Sequence, residues 1–178
     1  MTMKRVLLFL TVILNTALLP ETVNGYLLPP EPDPAINTTT LLGVDSNDNG
    51  VRDDVERWLI LKYQKHHRMV TEIALQTGRA FQFMLADPTN AEANRKKING
   101  AQDCNFYFKD YAQLFGEPVL IDHEILNDDF NKHQLNTAKR INAYLEYDSL
   151  LSGGVYRFSH ASEKKKQCDF DVDTLLEE

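Results

Sequence analysis

The chain has 178 residues, 43% of them hydrophobic and 25% charged, with a net charge of −7. That length suffices for one domain with its own core, and the hydrophobic share with 10% aromatics argues against general disorder. The acidic balance argues against nucleic acid or an anionic membrane as partner.

The N-terminus has the layout of a secretory signal: Lys4 and Arg5, an apolar run from Val6 to Leu19, then a polar tail from Pro20 to Gly25. Small residues at Val23 and Gly25 predict cleavage before Tyr26. The apolar run falls short of the roughly 20 residues that span a bilayer, so no stable membrane insertion is expected after cleavage; an uncleaved anchor is the alternative. Residues 1–25 carry Lys4, Arg5 and Glu21, a net +1, so the mature chain moves from −7 to −8. This places the protein in the periplasm or outside the cell. In such a compartment the two cysteines, Cys104 and Cys168, predict one disulfide, against the alternative of two buried thiols. The chain divides into the signal 1–25, a lead-in 26–44 and a helical domain 45–178.

Pro29, Pro30, Pro32 and Pro34, followed by Asn37-Thr38-Thr39-Thr40, predict an extended, polar lead-in without a core of its own. The next stretch, Asp45 to Glu56, puts oxygen-bearing side chains at loop positions 1, 3, 5, 9 and 12 and glycine at 6, the ligand spacing of an EF-hand calcium loop. Calcium takes six to eight hard oxygen ligands, which a short loop supplies by wrapping around the ion. Asp45, Asn47 and Asn49 would each give a side-chain oxygen, Val51 its carbonyl, Asp53 a direct or water-mediated contact, and Glu56 both oxygens. Gly50 supplies the sharp turn. Asp-Asn-Gly is also ordinary turn chemistry, and Asp53-x-x-Glu56 also reads as a capping box, but neither explains the joint placement. Three formal charges (Asp45, Asp53, Glu56) imply a weak site, with a dissociation constant of about 10⁻⁴–10⁻³ M or somewhat tighter.

Apolar periodicity then predicts five helices. The first runs from Val51 to about His66, carrying Val55, Trp58 and Leu59. The second runs from Met69 to Ala86 with Gly78 weakening its middle. The third runs from Pro88 to about Phe115, with Cys104 on its buried stripe and a stop at Gly116. A short fourth covers Asp122 to Phe130. The fifth covers Thr137 to Leu151, with Ala138, Ile141, Tyr144, Leu145 and Leu151 inward. Adjacent His66 and His67 make a poor metal pair. Asp169, Asp171 and Asp173 imitate a second calcium loop, but Thr174 stands where glycine is needed. The expected fold is therefore all-α: an irregular proline-rich segment and one calcium loop leading into a bundle of four to five helices.

The segment Gly43–Trp58 resembles the Asp-rich calcium loops of dockerins and thrombospondin type 3 repeats. The wider order, with Cys168-Asp169-Phe170 late in the chain, resembles small exported bacterial proteins of uncharacterised role. Loop position 8, which in EF-hand pairs is apolar and meets a partner loop, is Arg52 here, and no second loop exists. That departure points away from a sensor and toward a structural clamp. The expected function is an exported calcium-binding protein whose loop pins the lead-in to a helical interaction domain, with an unidentified protein partner. A calcium-dependent hydrolase is the alternative, weakened by isolated histidines and the absence of a nucleophile motif. A dockerin-like attachment module is another, weakened by the single loop.

Overall fold

The computed structural model describes residues 21–154 and 159–177. Strand β1 (Thr22–Val23) pairs with β2 (Tyr26–Leu27) in a two-residue hairpin. Helices α1 (Pro34–Asn37), α2 (Asp53–Tyr63), α3 (Arg68–Ala86) and α4 (Ala91–Phe106) follow. A π-helical turn (Tyr107–Tyr111) and a 3₁₀ turn (Ala112–Phe115) extend α4. Then come α5 (Asp128–Gln134), α6 (Ala138–Leu151), α7 (Ala161–Lys164) and α8 (Val172–Leu176). The fold is all-α, and the expected disulfide Cys104–Cys168 is formed.

Helix α3 is the axis. His67 caps it through the Met69 amide, and it stops one residue before Asp87-Pro88, where the proline ring disfavours helical backbone in its predecessor. Met69, Val70, Ile73, Ala74, Phe81, Met84 and Leu85 are all within 1% of full burial, against α2, α4 and α6. Gly78 is not a weakness in this setting. A Cβ there would meet Val51 Cγ1 at 3.0 Å, so the glycine lets the segment around Val51 pack directly on α3.

The other elements depart from expectation in identifiable ways. The lead-in is partly folded: Asp33 caps α1 with Pro34 at its first position, and Leu28, Pro29, Pro32 and Asn37 are buried. Helix α4 begins at Ala91, not Pro88, because Asp87–Asn90 forms a turn held by Asn94 donating to the Asp87 carbonyl at 2.8 Å. It ends as α-helix at Phe106, and the π turn re-phases the chain so that Tyr107, Phe108 and Ala112 stay buried. Gly116, at φ +80°, ends the run as its composition implies.

The fourth helix covers Asp128–Gln134 instead of Asp122–Phe130. Ile121 and Ile125 are buried by irregular chain whose polar groups are met by Asn105: its Oδ1 accepts from the Ile125 amide at 3.0 Å. Asn127 then caps α5 through the amides of Asp129 and Phe130. In α6 the inward face is Arg140, Ala143 and Tyr147, while Ile141 and Leu145 are 45% and 55% exposed. The helix is turned because a fully buried arginine occupies its inner face. The disulfide ties the C-terminal segment to α4 with buried Cys104 as its anchor, and Lys164 reinforces the tie by pairing with Asp103. Among the described residues, no helix is long and apolar enough to cross a membrane. The signal expected over residues 1–25 lies largely outside the described residues.

Candidate functional site

The loop 45–56 is folded around its own side-chain oxygens. Asp45 accepts from the amides of Asn49 (3.2 Å) and Gly50 (2.9 Å), and Asn49 Oδ1 accepts from the Val51 amide at 2.8 Å. Asp48 and Gly50 adopt left-handed backbone at φ +54° and +80°. The aspartate tolerates that region and the glycine favours it, and together they bend the chain through the loop. The Asp53 amide donates back to the Val44 carbonyl at 2.8 Å, closing the loop as α2 begins.

Two carboxylates from the first turn of α2 reach into this loop. Asp53 is fully buried; its Oδ1 accepts from the Ser46 amide at 2.9 Å, and its Oδ2 has no hydrogen-bond partner among the described residues. Glu56 is 4% exposed, and both its oxygens face the Asn47 amide nitrogen at 3.2–3.3 Å. Burial raises the Glu56 carboxyl above its ordinary range; the Asn47 and Asn49 amides pull it down, and the charges of Asp53 and Asp45 push it up. The structure thus brings Asp45, Asn47, Asn49, Asp53 and Glu56 into one loop, with the Val51 side chain turned into the core.

By residue type the donors suit a hard cation, with a buried orphan carboxylate oxygen at Asp53 and a second buried carboxylate at Glu56, although Asn47 turns its amide nitrogen to Glu56. The set is also sparse in charge. Among the described residues, no group of three or more His, Cys, Asp or Glu side chains is disposed to hold a metal. Any site here leans on the asparagines and the Val51 carbonyl.

Behind the loop lies a feature that periodicity could not show. Arg52 and Arg140 are both fully buried. Arg52 donates to the carbonyls of His133 (2.7 Å) and Gln134 (3.2 Å), the unsatisfied C-terminal end of α5, and pairs with Asp54 at 2.5 Å. Arg140 donates to the carbonyls of Leu41 (2.9 Å) and Asn37 (2.7 Å) and to Asn136 Oδ1. A Cβ at Gly43, where φ is +75°, would stand 2.4 Å from Arg52 Cδ and 2.8 Å from Arg140 Nη2, so the lead-in crosses the arginines where only glycine fits. One signal for this network was present: an arginine at loop position 8, where an apolar residue is the norm.

The remaining candidates do not join the site. Asp169 pairs with Arg79, Asp171 caps α8, and Asp173 pairs with Lys165, so the acidic tail is spent on helix ends and ion pairs. Trp58 is half-buried and stacks on His133 at 3.9 Å. His123 lies between Asp122 (2.6 Å) and the Tyr63 hydroxyl (3.3 Å), but Tyr63 is 2% exposed and burial pushes its hydroxyl up to about 12. Such a group has neither the access nor the acidity of a nucleophile.

Comparison with protein-family models, with curated proteins and with solved structures yields no match.

Proposed function

We propose that this chain is an exported calcium-binding protein in which loop 45–56 takes one ion and clamps the lead-in to the helical body, which serves as an interaction surface. The observation that carries the reading is the unpartnered Oδ2 of buried Asp53 beside the buried Glu56 carboxylate. Two anions taken out of water cost several kcal/mol each unless opposite charge answers them. A divalent cation shared by both would remove that cost. Asn47, whose amide nitrogen faces Glu56, would present its oxygen instead, and the Val51 carbonyl would complete the set. Export is supported by the Cys104–Cys168 disulfide, which suits an oxidising compartment.

The clamp follows from what flanks the loop. Asn37 Oδ1 accepts from the Val44 amide at 3.0 Å, and Gln82 donates to the Leu42 carbonyl at 2.6 Å, so the lead-in is held in place where it enters the loop. An ion that ties Asp45 to Glu56 joins this segment to α2.

Calorimetric titration of calcium into chelator-treated protein tests the reading, beside Glu56→Gln, which keeps shape and removes one charge. Binding of one ion with a raised melting temperature, lost in the variant, is the expected result. No heat and no stabilisation up to several millimolar calcium would leave the loop as a capped turn.

A further inference from the structure

The stretch Val23-Asn24-Gly25 reads in the sequence as the end of a leader, because its first and last residues are small. In the folded chain the same residues have another use. Thr22 pairs with Leu27 and Val23 with Tyr26, so Asn24 and Gly25 form a two-residue hairpin turn. Their φ angles are +49° and +83°. A type I′ turn needs positive φ at both central residues, and Asn-Gly is the pair best suited to supply it. The turn accounts for Gly25, and strand pairing for Val23, without any peptidase.

The hairpin is also anchored. A two-stranded ribbon alone is marginal in water, and this one rests on the start of α3. Asn24 Nδ2 donates to the His66 carbonyl at 3.3 Å. Tyr26 donates its hydroxyl to Glu72 at 2.9 Å, and the Arg68 guanidinium lies over its ring at 5.4 Å. A Cβ on Gly25 would stand 3.3 Å from Arg68 Nε. Leu28, 5% exposed, donates its amide to the Glu21 carbonyl at 2.8 Å. A cut between Gly25 and Tyr26 would take away the partner of that amide and the whole of β1. It would also leave a new α-amino group on Tyr26, largely charged at neutral pH, on the side of the chain where Arg68 lies.

We infer that residues 21–25 stay on the mature protein as part of its fold, so that Gly25–Tyr26 is not the bond cut on export and any cleavage falls before Glu21. The inference rests on the export reading only for the existence of a leader. The place of the hairpin in the fold stands on its own geometry.

The test is expression of the full chain, with a C-terminal tag, in a bacterial host that exports it, followed by intact mass and melting temperature of the purified protein beside Gly25→Ala. Alanine suits a cleavage site as well as glycine does, but it does not suit left-handed backbone. The expected mass includes residues 21–25. The variant is expected to be heavier by one methylene group and to melt roughly 2–4 °C lower, the shift for one strained residue in a domain of this size. A mass that begins at Tyr26 would overturn the inference, and so would a variant that melts with the parent chain. Retention inside the cell without cleavage would count against export instead, and the melting comparison on that chain would still decide whether the hairpin belongs to the fold.

Discussion

Glu56 is the residue whose proton reports on the loop. Its folded-state carboxyl lies above the ordinary value, chiefly through burial. For the metal-free chain, that proton contributes stability that is complete below the unfolded value near pH 4.3 and is lost as pH rises through the folded one. On the calcium proposal, the ion would take the deprotonated form, so its affinity would run the other way and fall as pH drops into that window. Calorimetric calcium titration in two buffers of different ionisation heat should show proton release that grows as pH is lowered toward the ordinary carboxylate range and fades as pH rises. Heats that do not differ between the buffers at the acid end would separate Glu56 from the ion. At this scale the folded loop was legible in the chain: its oxygen-bearing side chains converge because all of them lie within twelve positions. Arg52 was visible as a departure, but its role was not, since the carbonyls it meets belong to His133 and Gln134, 81 and 82 residues away.

Between elements, the buried arginines do the joining. Arg52 ties α2 to the end of α5, and Arg140 ties α6 to the lead-in, with Asp54 as the carboxylate between them, accepting from Arg52 and from Asn136 at 3.2 Å. Burial and the Arg52 charge push Arg140 down to about 10, and Asp54 opposes them. Asp54→Asn would leave two guanidinium groups answered by neutral oxygens alone. A loss of about 3 kcal/mol is expected, toward the low end for a broken buried pair because Asp54 keeps some solvent contact. Urea denaturation measures it, and an unchanged midpoint would mean the carbonyls suffice. The same network explains which helices were legible. α2 and α3 follow their apolar period because apolar side chains make up most of their buried faces. α6 does not, because Arg140 takes the inner face and turns Ile141 and Leu145 outward. The irregular chain before α5 hides its folding in Asn105, a polar residue on another element.

For the whole molecule, the disulfide closes a span of 64 residues and holds the last two helices to α4. Replacing Cys104 and Cys168 by serine removes a constraint worth about 4 kcal/mol in the chain-entropy model. Hydrogen exchange should then quicken first over residues 161–177, with α3 protected longest; uniform quickening would mean the segment is part of one cooperative unit. The cysteine pairing was readable from the count of two and the expectation of export, whereas the order of packing around α3 was not, because it rests on contacts far apart in the chain. That separation bears on how the molecule is born. A chain made from its N-terminus has every residue of loop 45–56 in hand early, yet the groups that hold the loop's flanks arrive with His133, Gln134 and Arg140, the last reaching back 99 and 103 residues to Leu41 and Asn37. Local pieces form first and distant closures last. The loop's oxygens are therefore all present long before the arginine frame behind them can close, and the lead-in's bonds to Arg140 are among the last that the growing chain can make.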